Sequence, residues 1–230
     1  MSDKAPLSYR TTNLTLGTFL RIMFRPRYLG RDKIPVDGPL IIAANHLSHI
    51  DPAFIMTATK RPVSYMSKKE HFDGAIRRLV FKQVGVIPVD REEGGKDALK
   101  GAIEILEKGG AIGIFPEGTR SRDGKMGKGK TGVARLAALT GAAVVPVAIR
   151  QTDGVWPVSK RAPRPWRKFY YKFGDPIYFD YKEENHENFR KFTDSVMSRI
   201  VELSNECEEY WEDKKITTRL KKRIAAWRDK

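Results

Sequence analysis

The amino-acid sequence predicts an α/β fold: a single domain on a mixed, largely parallel sheet flanked by helices, with an amphipathic helix at each end. Three observations predict it. The chain has 230 residues, enough for one well-packed α/β core and short for two. Its apolar runs, such as Pro39–Ala44 and Ala142–Ile149, are continuous rather than alternating, as in strands covered on both faces. Between these runs lie segments with helical spacing, and strands alternating with helices define the class.

Taken in order, Met1 to Arg10 is polar and lacks the basic-then-apolar sequence of a secretory signal. Leu16, Phe19, Leu20 and Met23 then recur at helical spacing among Arg10, Arg21, Arg25 and Arg27, giving a short basic amphipathic helix within Leu14–Arg27, stopped at Pro26. After the turn-rich 35–38, Pro39–Ala44 forms a buried strand that runs into Asn45 and His46. Further strands are expected at Val63–Ser67, Val84–Val89, Ala111–Phe115, Ala143–Ile149 and Phe169–Phe173. Helices are expected at Pro52–Thr59, Asp73–Gln83, Asp97–Lys108, with Asp97 as cap and Gly109-Gly110 as stop, and Gly132–Leu139. A long helix follows through Phe189, Phe192, Val196, Ile200, Leu203, Cys207 and Tyr210. The last segment, Lys214 to Lys230, carries eight Lys or Arg around a narrow stripe of Ile216, Leu220, Ile224 and Trp227, a pattern that suits an anionic membrane surface. The expected organisation is a basic amphipathic segment over 1–28, a catalytic domain over 29–180, and a helix with a basic tail over 181–230.

Lys and Arg outnumber Asp and Glu by 43 to 28, a net charge of +15, so the partners are expected to be anionic. Charge alone does not choose among nucleic acid, acidic lipid and a phosphorylated substrate. A single cysteine, Cys207, excludes an internal disulfide and a cysteine-based metal cluster. No apolar run approaches the ~20 residues of a membrane-spanning helix.

Two motifs compete for the chemistry. Gly124 to Thr131 satisfies G-x-x-x-x-G-K-[ST], the pattern of a phosphate-cradling P-loop. Such a loop must leave a buried strand directly and open a helix. Thr131 can cap the following helix, but the polar stretch 116–123 separates the loop from the strand before it. In Asn45-His46-Leu-Ser-His49-Ile-Asp51-Pro52, by contrast, a strand delivers His46 to the C-terminal sheet edge, where α/β proteins place their ligand crevices. Ser48 and Asp51 have capping-box spacing with Pro52 in the first turn. The Asp51 carboxylate can also accept the His46 N–H, fixing the tautomer and leaving the other ring nitrogen as a base. No serine or cysteine nucleophile accompanies the pair, so the hydroxyl must come with the substrate. Metal binding by His46, His49 and Asp51 lacks further ligands, and no metal or cofactor is expected.

Other strand ends add phosphate-binding residue types: Ser67-Lys68-Lys69-Glu70, Val89-Asp90-Arg91, and Phe115-Pro-Glu117-Gly118-Thr119-Arg120-Ser-Arg122. Together these residues resemble the glycerolipid acyltransferase family typified by 1-acylglycerol-3-phosphate acyltransferase. Its four blocks occur in order: N-H-x4-D at Asn45 to Asp51, the second around Gly85 to Arg91, F-P-E-G-T-R at Phe115 to Arg120, and V-V-P-V at Val144 to Val147. The resemblance implies transfer of a fatty acyl group from acyl-CoA or acyl carrier protein to the 2-hydroxyl of a lysophospholipid, giving phosphatidic acid without an acyl-enzyme. It implies His46 as general base and Asp51 as its partner. Arg91 and Arg120, with Lys68 or Lys69, would hold the phosphate, Glu117 and Gly118 would bind the glycerol backbone or order the loop, Thr119 would join them on the acceptor side, and the strand of Pro146 would support the acyl-donor side. His49 falls in an unrestricted position of its block and is expected to be a bystander. Many relatives carry apolar N-terminal membrane helices; here only Leu14–Arg27 stands in that place. Peripheral attachment to an anionic membrane at its cytoplasmic face is therefore expected, with no nucleic-acid partner. The alternatives are a different lysolipid, a glycolipid or glycerol 3-phosphate as acceptor, a P-loop enzyme, or a non-catalytic basic module. Charge by itself explains neither the histidine–aspartate pair nor Phe115–Arg120.

Overall fold

The computed structural model describes residues 7–68, 87–89, 96–121, 123–157, 159–160 and 162–228. The helix expected over 73–83, the residues Lys69 and Arg91, and the side chains of Lys68 and of the 212–228 segment lie outside that description. Among the described residues the chain forms α1 (Leu7–Phe24), β1 (Arg27–Leu29), β2 (Leu40–Ala44), α2 (Asp51–Ala58), β3 (Val63–Lys68), β4 (Ile87–Val89) and α3 (Lys96–Glu107). It continues through β5 (Ala111–Ile114), α4 (Gly132–Thr140), β6 (Ala143–Arg150), α5 (Thr152–Val155), β7 (Tyr170–Phe173) and α6 (His186–Arg228).

The strands make one seven-stranded sheet in the order β1-β7-β6-β2-β5-β3-β4. From β6 to β4 every neighbouring pair is parallel, while β7 returns antiparallel to β6, with Arg150 opposite Tyr170. This is the mixed, largely parallel sheet that the unbroken apolar runs require. Each residue of β2 is buried because both sheet faces are covered. Leu40, Ile42 and Ala44 pack toward Phe54 and Ile55 of α2 and Phe24 of α1. Ile41 and Ala43 pack toward Leu106 of α3, Leu136 of α4 and Phe192, Val196 and Ile200 of α6. Each large side chain fully buried this way contributes about 1.5–3 kcal/mol.

Helix α1 starts at Leu7, well before the apolar stripe that announces it. Its first turns are held by Tyr9, buried in the core with its hydroxyl donating to the Arg61 carbonyl at 3.3 Å. Farther along, Arg21 donates to the Thr57 carbonyl at 2.7 Å, so one of the surrounding arginines ties α1 to α2. Helix α3 stops where the paired glycines are: the Gly109 N–H reaches the Leu106 carbonyl and the Gly110 N–H that of Ile105. Helix α6 is fastened to the sheet by Arg150, which contacts Ser204 and Glu208, and by Lys172 with Glu206. Cys207 is buried on its inner side, where desolvation pushes the thiol up to about 11, so it behaves as a small apolar residue.

Candidate active site

β2 ends at Ala44, and the next residue replaces a backbone pairing with a side-chain one. The Asn45 amide donates to the Ile149 carbonyl at 3.0 Å and accepts from the Ile149 N–H at 2.7 Å. Asn45 thus bridges the ends of β2 and β6 and turns the chain outward, presenting His46 at the sheet edge. The His46 Nδ1 lies 2.9 Å from Asp51 Oδ2, and the same oxygen accepts the N–H groups of Leu47 and Ser48, each at 2.7 Å. Asp51 is fully buried, whereas the His46 side chain is 16% exposed. With its N–H pointing at Asp51, Nδ1 is the donor and Nε2 is the free base.

Half of the capping box expected from Ser48 and Asp51 forms: the Asp51 carboxylate accepts the Ser48 N–H at 2.7 Å, while the Asp51 N–H turns to the Ser48 carbonyl at 3.4 Å and not to the hydroxyl. Ile50 occupies the cap position of α2 without a side-chain bond, and the Ser48 hydroxyl donates to the Trp156 carbonyl at 2.7 Å. Asp51 instead gathers the N–H groups of its own turn around one carboxylate oxygen, which orients the carboxylate toward the imidazole. This use of the 45–51 loop also seats Trp156, whose ring centroid is 5.4 Å from that of His49.

The second loop, after β5, is joined to the first through Glu117. One carboxylate oxygen accepts the His46 N–H at 3.1 Å and the other accepts the Gly127 N–H at 2.8 Å. The Ser121 N–H in turn donates to the His46 carbonyl at 2.8 Å. Glu117 is therefore a buried strut between three segments, the loop-ordering one of the two roles expected for it. Gly118 follows at φ 71°, a left-handed turn suited to glycine, and a Cβ there would lie 2.9 Å from Lys130 Nζ. The Lys130 ammonium is consequently brought beside the Glu117-Gly118 turn. Thr119 is exposed on that turn. Arg120 reaches back across the site to His49, with Nη1 against both ring nitrogens and 2.7 Å from Nε2. The structure thus gives His49 neighbours that its position in the block did not foretell.

The His46 ring is stacked on Phe115, centroids 3.8 Å apart at 12°, and Phe115 lies 5.7 Å from Tyr65 in the next stack. Tyr65 occupies the space above Gly113: an added Cβ there would fall 2.1 Å from Tyr65 Cζ. Gly113→Ala is expected to cost about 3 kcal/mol, the upper range for overpacking, and to lower Tm by roughly 6–12 °C in a chain of this size, read by thermal denaturation.

Pro146 lies inside the sheet, one pairing before β2 ends. It lies within β6 opposite Ala43, with Gly174 and Leu203 of α6 against it, and its carbonyl accepts the Gly174 N–H at 2.8 Å. The Gly124–Thr131 segment is not a P-loop. β5 ends at Ile114, the N–H groups of Gly127 and Lys130 are donated to Glu117 and to the Pro116 carbonyl, and Gly129 is packed against Met197 and Thr193. Those N–H groups hold the loop after β5 instead of facing an anion. Thr131 precedes α4 but makes no side-chain cap bond. No cluster of three metal-ligating side chains is present among the described residues.

The chain is 34% identical over 131 residues to the chloroplastic 1-acyl-sn-glycerol-3-phosphate acyltransferase LPAT1 of Arabidopsis thaliana, a match spanning 56% of this chain and 36% of the plant protein. It is 27% identical over 205 residues to the 1-acyl-sn-glycerol-3-phosphate acyltransferase of Bacillus subtilis, spanning 87% of this chain and 99% of that one. Among solved structures it is similar to the 1-acyl-sn-glycerophosphate (LPA) acyltransferase PlsC from Thermotoga maritima, with a TM-score of 0.70 and 26% identity over 88% of this chain and 78% of that one. The Acyltransferase family model covers residues 25–150, more than half of the sequence and every loop that meets at His46, and the chain belongs to that family.

Proposed function

We propose that the protein transfers a fatty acyl group from a thioester to the 2-hydroxyl of lysophosphatidic acid, giving phosphatidic acid. The observation that carries the reading is the His46–Asp51 pair: a buried carboxylate fixing one nitrogen of a partly exposed imidazole just past the end of a sheet strand. The acceptor hydroxyl attacks the thioester carbonyl as His46 Nε2 takes its proton. Collapse of the tetrahedral intermediate expels the thiolate, which recovers the proton from His46, so the products are the ester and the free thiol. No protein nucleophile is needed. Arg120, with Lys130 at the Gly118 turn, supplies the cations for the acceptor's phosphate. Glu117 acts by fixing the two loops.

The same reading has the protein working at an anionic membrane surface. No helix among the described residues is long and apolar enough to cross a membrane. Leu14, Phe19 and Ile22 of α1 are nonetheless more than half exposed, as is Trp166, whose ring lies 5.0 Å from the Arg25 guanidinium. Exposed apolar side chains beside arginines are the composition of an interfacial helix. Pelleting with vesicles that contain phosphatidic acid is expected at low salt and to weaken at high salt; recovery in the supernatant at both would contradict it.

The test of the activity is an acceptor panel. Purified protein with an acyl thioester is expected to acylate lysophosphatidic acid at least tenfold faster than lysophosphatidylcholine or glycerol 3-phosphate, followed by mass spectrometry of the lipid product. Equal rates on the choline lipid would exclude the phosphate monoester as the feature recognised.

A further inference from the structure

Behind the His46–Asp51 pair lie buried polar groups that the acyl-transfer chemistry does not use. Asp51 places its hydrogen bonds on Oδ2, from His46 Nδ1 and the N–H groups of Leu47 and Ser48. Its Oδ1 is enclosed by protein and takes no hydrogen bond among the described residues, and the same holds for the hydroxyls of Tyr65 and Tyr171. Topology gathers the three. β3 and β7 flank the central strands β5, β2 and β6, and Tyr65 and Tyr171 enter from them the same core layer, the one packed under α2. The Tyr171 ring centroid lies 6.4 Å from that of Phe54, which stands one helical turn after Asp51 on the same face of α2. Tyr65 ends the ring stack that runs through Phe115 to His46. Burial raises both phenols well above the usual tyrosine range, and the Asp51 carboxylate raises them further. Both stay protonated, so each is an O–H donor held near a carboxylate oxygen that lacks one.

We infer that Tyr65 and Tyr171 are positioning residues for the general base, their hydroxyls donating to ordered water that in turn donates to Asp51 Oδ1. The inference rests on His46 acting as that base. Buried polar groups are almost always hydrogen-bonded, and where protein supplies no partner an internal water joins several at once. Water fits this set because it accepts from a phenol and donates to a carboxylate, whereas the three groups by themselves do not meet. Oδ2 fixes the imidazole from the catalytic side. Oδ1, tied through water to the two strands that flank the sheet centre, keeps the carboxylate from turning away from it. When His46 takes the acceptor's proton, the Asp51 charge that stabilises the imidazolium is already oriented.

The test removes each hydroxyl and keeps its ring. Tyr65→Phe and Tyr171→Phe are compared with the wild type in kcat, KM and Tm, each also in the His46→Ala background, and the full chain is crystallised at a resolution that shows ordered water. Each single variant is expected to lose about three- to tenfold in kcat at unchanged KM, the worth of one buried hydrogen bond. On His46→Ala the same changes should cost no further rate, because they act through the imidazole. The crystal should show water within hydrogen-bond reach of both Asp51 Oδ1 and a phenol hydroxyl. Unchanged kcat with a raised Tm would mark the hydroxyls as merely stranded, equal losses in both backgrounds would make them scaffold, and an Oδ1 without water would remove the bridge; each overturns the inference while leaving acyl transfer standing. Should a variant not fold, the wild-type crystal decides alone. A fully active His46→Ala would overturn the base itself, and the positioning role with it.

Discussion

Replacing His46 with alanine is expected to lower kcat for acyl transfer by about 10²- to 10⁴-fold, the contribution of a positioned general base. The fold should survive. His46 is at a loop, its ring is partly exposed, and Asp51 Oδ2 keeps the N–H groups of Leu47 and Ser48 when the imidazole is gone. Loss of the stack on Phe115 removes contact area but leaves no buried donor unpaired. The measurement pairs kcat with a thermal melt. A variant that melts near the wild-type Tm and still turns over at more than a tenth of its rate would remove His46 from the chemistry.

Glu117→Ala is expected to damage both stability and catalysis, because the carboxylate is a strut before it is anything else. Its removal strands the N–H groups of His46 and Gly127, each previously bonded to a charged oxygen, at a cost of about 2–5 kcal/mol in total. The loop after β5 then loses its register on His46, and a displacement near 1 Å at a reacting group can cost about 10²-fold in rate. Glu117→Gln keeps one acceptor and presents an NH₂ to the other N–H, so it should fall between. Chemical denaturation with steady-state kinetics separates this from a simple contact with the acceptor lipid. A raised KM at unchanged stability would show a ligand contact and contradict the strut.

The fold was legible because its cause is local and periodic. An unbroken apolar run such as 39–44 has few alternatives to a doubly covered strand, and the glycine pair after α3 marks its end unambiguously. The histidine–aspartate pair was legible for the same reason: both residues belong to one short loop, so spacing alone limits their separation. What spacing could not show are the contacts made between distant loops. Glu117 reaches His46 across 71 residues, and Arg120 reaches His49 over the same separation. F-P-E-G-T-R allowed its glutamate to order the loop, but not which backbone N–H groups it would take. Ser48 and Asp51 were half legible: the carboxylate takes the Ser48 N–H as the capping box requires, while the Asp51 N–H takes the Ser48 carbonyl and not its hydroxyl. The Gly124–Thr131 match failed because a P-loop is defined by the strand before it, and here β5 ends at Ile114. Pro146 lies within β6 opposite Ala43, with Gly174 and Leu203 of α6 near it.

The central claim is that acyl transfer is direct, from thioester to acceptor hydroxyl, with His46 moving the proton. Purified protein is mixed with radiolabelled palmitoyl thioester, with and without lysophosphatidic acid, and quenched within one turnover. Label is expected to appear in phosphatidic acid only when the acceptor is present, with none on the protein at any time. Label bound covalently to the chain in the absence of acceptor, and chased from it into lipid on adding lysophosphatidic acid, would contradict the account.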